Sequence, residues 1–170
     1  MSRALDPLFA WLEATSFSTW MRESPSMFAF PLFLVFHAIG MGLAVGVNVA
    51  VALRVLDAGR GVAIAEMRRF VPFMWFGFWL NAASGVALLL GYPTKALTNP
   101  VFYLKLGLIG AALCLARAIV RRASAGGAAD AGRAPVGLTG LAVASLACWF
   151  GAVTAGRLLA YTYTRLTSVE

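Results

Sequence analysis

Between Met27 and Leu56 the chain runs for 30 residues with almost no polar side chain, and the only histidine, His37, lies inside that run. A hydrocarbon core of roughly 30 Å needs about 20 apolar residues in helical form, so the stretch reads as a membrane span. Three further apolar runs follow, which predicts an all-α integral membrane protein with spans at about 25–55, 71–91, 100–120 and 136–161. Short loops join antiparallel neighbours, so an up-down-up-down four-helix bundle over residues 24–170 is the economical arrangement. Residues 1–23 are set apart as an N-terminal interfacial amphipathic helix.

Composition supports the bilayer. Only 12% of the residues are charged, against about 25% in a typical soluble domain. A net charge of +7 raises nucleic acid as a partner, but the arginines stand at the ends of apolar runs and form no basic stripe interleaved with aromatics. Membrane lipids are the expected partners instead. Of the 14 basic residues, eight (Arg54, Arg60, Arg68, Arg69, Arg117, Arg121, Arg122 and Arg133) fall on the side of the first and third loops. The remaining six include Lys105 and Arg157, which lie within spans, so the loop contrast is sharper than the total. The positive-inside rule then puts both termini on the non-cytoplasmic side.

Local signals set the boundaries. Asp6, Glu13 and Glu23 interrupt the N-terminal segment, which therefore lacks the pattern of a cleavable signal peptide. Asp6-Pro7 marks a helix start, Leu5, Leu8, Phe9 and Leu12 share a face, and Trp11 and Trp20 suit the headgroup layer. Ser24-Pro25 repeats the cap-and-proline signature ahead of the first span, in which Pro31 is expected to add a kink. Asp57 to Phe70 is expected as a short basic loop, and Ala123 to Ala134 as a flexible one. Gly91 and Pro93 stop the second span, and Asn99-Pro100 opens the third. Small residues four apart, Gly40 with Ala44, Gly42 with Gly46 and Gly107 with Ala111, allow helix backbones to approach closely.

Ionisable groups inside spans are costly and point to function. His37, ten residues past Met27, is placed roughly 15 Å below the outer end, near mid-membrane. Met41 and Asn48 share its face. One reading makes His37 a metal or haem ligand or a proton relay. A single histidine per chain demands a homodimer for a bis-histidine b-type haem, and Met41, one turn away on the same helix, cannot be the opposite axial ligand. The other reading is a neutral histidine hydrogen-bonded between helices, to Asn81 or Ser84. Lys105 and Arg157 stand inside the outer ends of their spans and either snorkel to headgroups or, with Arg22, form a cationic vestibule above His37. Such a vestibule suits the anionic part of a ligand, a haem propionate, lipid phosphate or quinone headgroup among them. Copper is the weaker metal reading: Met21, Met27 and Met41 offer thioethers without a dense repeat. Cys114 and Cys148 read as buried packing thiols. Trp75, Phe76, Phe78 and Trp79 read as belt aromatics. No nucleophile set, paired carboxylates, phosphate loop or HExxH motif appears, so the chain leans away from an enzyme.

The order and spacing of Trp20-Met21-Arg22-Glu23-Ser24, Phe30-Pro31, His37, Pro72, Trp75, Gly77-Phe78, Gly85, Phe102 and Lys105 resemble a group of small bacterial four-span membrane proteins of the domain-of-unknown-function 6644 type. Members often carry a glutamate where this chain has Leu34, and an acidic-Leu-Arg step where it reads Ala52-Leu53-Arg54. The resemblance implies a bacterial inner-membrane protein and carries no activity with it. The expectation is thus a non-enzymatic holder of a ligand or cofactor near His37, Met41, Asn48, Lys105, Arg157 and Arg22. The alternatives are a dimeric haem or metal redox protein and a scaffold or accessory subunit of a homo-oligomer or larger membrane complex.

Overall fold

A computed structural model describes residues 6–56, 64–125 and 136–162. Arg3, Leu5, Arg60, Arg133 and Arg165, and the capping expected of the Asp6 carboxylate, lie outside the described residues. Among those described the secondary structure is all helical: α1 Asp6–Glu13, α2 Ser16–Glu23, α3 Phe30–Val55, a 3₁₀ segment Ile64–Phe70, α4 Val71–Gly91, α5 Pro93–Leu97, α6 Pro100–Ala125 and α7 Val136–Tyr161. The four long helices α3, α4, α6 and α7 are each long and apolar enough to cross a membrane. They pack into a membrane bundle, and the protein is multi-pass.

The N-terminal segment is two helices. Thr15 caps α2 by accepting from the Ser18 amide (3.3 Å) and donates its hydroxyl to the Leu12 carbonyl (2.7 Å), which ends α1 and starts α2. Ser24-Pro25 does not open the first span. The Ser24 and Ser26 hydroxyls accept from the Ser26 and Phe28 amides (both 3.2 Å), holding this stretch in turns that compete with helix. The helix α3 begins at Phe30, and Pro31 falls in its first turn, where a missing N–H costs nothing and no kink is required. His37 is consequently seven residues into α3, roughly 10 Å from its start. Asn99 does cap α6, its Oδ1 accepting from Val101 (3.0 Å), and its Nδ2 donates to the Thr162 carbonyl (2.9 Å), pinning the end of α7. At its far end α6 runs on to Ala125, into the expected flexible stretch.

Contacts run in opposite chain directions between neighbours: His37 meets Asn81 while Ala44 meets Gly77, and Lys105 meets Gly156 while Leu108 meets Gly151. The long helices therefore alternate up and down. Most packing joins α3 to α4 and α6 to α7; α3 also packs on α7, whereas α4 and α6 barely meet. Val51, Ala52, Val55, Ile119, Leu138 and Ala142 form the core at one end, and Ala112, Trp149 and Ala152 form it nearer the middle. The α3/α4 contact is closest at Gly40 and Gly77. A Cβ on Gly77 would stand 2.8 Å from both the Ala44 nitrogen and the Gly40 oxygen, so only glycine lets these backbones touch. By contrast Gly42, Gly46 and Gly107 face open space. Of the small-residue pairs only Gly40 with Ala44 packs helix on helix. Cys114 is exposed on the outer surface of α6, contrary to a buried thiol, while Cys148 packs against the middle core.

Candidate functional site

The close approach at Gly40 and Gly77 brings the next turn of α3, with His37, against the next turn of α4, with Asn81 and Ser84. His37 and Asn81 clamp each other: Nδ1–H of His37 donates to the Asn81 carbonyl (3.0 Å), and the Asn81 amide donates to the His37 carbonyl (2.7 Å). A carbonyl can only accept, so Nδ1 carries a proton. Ser84, buried, donates to the Leu80 carbonyl (2.7 Å) and stands 3.4 Å from the same ring nitrogen. Gly85 leaves room for the ring, since a Cβ there would lie 3.2 Å from Cε1. The other ring nitrogen, Nε2, faces Lys105 Nζ at 3.5 Å, from α6. Gly156 of α7 lies alongside the lysine stem: a Cβ there would be in ordinary van der Waals contact with Cε at 3.6 Å and Nζ at 3.7 Å.

Lys105 therefore turns to the histidine rather than snorkelling, and no Asp or Glu occurs in α3, α4, α6 or α7. Beside the pair lies a cavity of about 20 Å³ walled by Lys105, Met41, Phe78, Ile109, Trp149 and Val153 among others. That is room for about one water.

Of the residues singled out from sequence, His37, Met41 and Lys105 come together. Asn48 is buried three turns below His37, its amide donating to the Ala44 carbonyl of its own helix (2.7 Å). Arg22 binds the N-terminal helices to the end of α4, donating to the Glu13 carbonyl (2.8 Å), the Ser18 hydroxyl (2.7 Å) and the Gly91 carbonyl (3.3 Å). Arg157, next to the glycine that faces Lys105, is itself exposed. The vestibule of three cations is thus a single lysine beside an imidazole.

As for the metal and haem readings, both ring nitrogens of His37 meet groups of this chain, Nδ1 the Asn81 carbonyl and Nε2 the Lys105 amine. Among the described residues no group of three or more His, Cys, Asp or Glu side chains could hold a metal ion. The three methionines are separate: Met21 is buried against Gly91, Met27 is 80% exposed, and Met41 lines the cavity. The belt aromatics also divide. Trp75 lies under the Arg117 guanidinium (4.7 Å), which links α4 to α6; Phe78 walls the cavity; Phe76 and Trp79 face outward.

Gly77 and Gly85 entered the sequence reading only through the family resemblance, with no packing role attached, and Trp149 did not enter it. The two glycines were visible as small residues flanking Asn81 at i−4 and i+4, on the face that carries Ser84. Trp149 carried no such signal. Comparison with protein-family models, curated proteins and solved structures yields no match.

Proposed function

We propose that this protein is a multi-pass protein of the bacterial inner membrane, with both termini outside the cytoplasm, that holds a small ligand at the Lys105–His37 pair and catalyses no reaction. One observation carries the reading: a lysine amine drawn into the bundle, partnered by an imidazole, with no carboxylate in any of the four long helices. Holding a lysine amine among apolar side chains with no counter-charge in these helices costs stability, so its retention calls for a use beyond packing. The His37–Asn81 clamp positions the imidazole, and the imidazole positions the amine.

This reading makes Lys105 a residue kept at the expense of stability. Lys105→Met, of similar length and apolar, is expected to stabilise the purified protein by about 1–3 kcal/mol. That corresponds to a rise in Tm of about 2–12 °C for a chain of this size. Thermal unfolding in mild detergent, wild type beside variant, reads the effect. A fall in Tm would mean that Lys105 is a structural strut and would remove the main support for a ligand site.

A further inference from the structure

The cavity beside the pair has a second unsettled polar group. Trp149 is 95% buried, with 5% of its surface exposed, and is one of the residues that line the cavity, and its Nε1 is buried without a hydrogen-bond partner. An indole N–H can only donate, and so can the hydrogens that Lys105 has left after meeting Nε2 of His37. Neither group can satisfy the other. The remaining wall is largely apolar: Met41, Phe78, Ile109 and Val153 among it.

An occupant that answers this setting accepts hydrogen bonds, offsets a positive charge, tolerates apolar neighbours and fits in about the space of one water. We propose that the cavity binds a single small monovalent anion of the halide class, drawn by the Lys105 amine with Trp149 N–H as a further donor. This inference rests on the ligand-holding reading and names the class of ligand. Phosphate and sulfate are excluded by size and by the cost of stripping a multiply charged, strongly hydrated ion. A headgroup on a lipid would have to be admitted between α4 and α6, the two helices that barely meet.

The test uses the full-length protein in detergent micelles with ¹⁵N-labelled tryptophan indoles, titrated with sodium bromide against sodium gluconate at constant ionic strength. The resonance of Trp149 is assigned by its loss in Trp149→Phe. A saturable shift of that resonance with bromide is expected, and Lys105→Met should raise the half-saturation concentration about tenfold to a hundredfold. Absence of a shift, or a shift that survives Lys105→Met unchanged, would overturn the anion site. Titration with dioctanoyl phosphatidylglycerol separates this failure from that of the wider reading. A shift with the lipid alone would discard the halide class and keep the ligand-holding role. Silence toward both probes, together with a lowered Tm in Lys105→Met, would discard both.

Discussion

Gly40→Ala is expected to destabilise the protein by about 3 kcal/mol, at the upper end of overpacking costs, while Gly42→Ala, two residues on, is expected to be neutral or mildly stabilising. The added methyl at Gly40 would stand 2.5 Å from the Asn81 nitrogen, 2.7 Å from the Gly77 oxygen and 2.9 Å from the Asn81 Cα, all main-chain atoms that cannot swing aside. Relief requires the whole of α4 to move away from α3. That movement also strains the His37–Asn81 clamp, whose bonds lie one turn away. At Gly42 the same methyl meets nothing within 4 Å, so only the gain in helix propensity remains. Gly77→Ala should resemble Gly40→Ala, and the double variant should cost less than the sum, because both changes open one interface. Reversible unfolding in mixed micelles measures all four. Equal effects at Gly40 and Gly42 would show that the α3/α4 crossing lies elsewhere.

Arg22→Met is expected to cost about 2 kcal/mol and to loosen the N-terminal helices, leaving the site at Lys105 unchanged. The guanidinium reaches three acceptors on three different segments: Glu13 in α1, Ser18 in α2 and Gly91 at the end of α4. Charge-assisted bonds of this kind contribute about 1.5–3 kcal/mol each when buried, and the half-exposed setting of Arg22 reduces the total. Ser18, fully buried, would keep its bond to the Gly91 carbonyl (3.3 Å) but lose its stronger partner. Arg22→Lys should recover little, since a single ammonium cannot span three directions as a planar fork does. Glu13 supplies an independent tie, accepting from the Thr94 hydroxyl at 2.6 Å, so α1 should stay attached. Amide exchange across residues 8–23, followed by mass spectrometry, reads the loosening, and bromide titration reads the site. Loss of bromide response in Arg22→Met, with exchange unchanged, would return Arg22 to the binding site.

Length and hydropathy are sums along the chain, so the four spans, their alternation and the absence of carboxylates within them were legible without any tertiary contact. Asn99-Pro100 and Gly91-Pro93 were legible for the same reason: they act on their own neighbours. Ser24-Pro25 misled because the same signature can cap a helix or close a serine turn, and the Ser26 hydroxyl decided for the turn.

The sequence alone determined that His37 and Lys105 are polar groups in apolar helices and that something must receive them. Which groups meet was decided only by tertiary structure. In a soluble helix the apolar stripe marks the inward face, but in a bilayer the outward face is equally apolar, so periodicity does not tell Gly40 from Gly42 or Cys148 from Cys114. Helix rotation is set instead by close packing at Gly40 and Gly77. That rotation turns His37 to Asn81, leaves Lys105 facing Nε2, sends Arg157 outward and buries the Trp149 N–H.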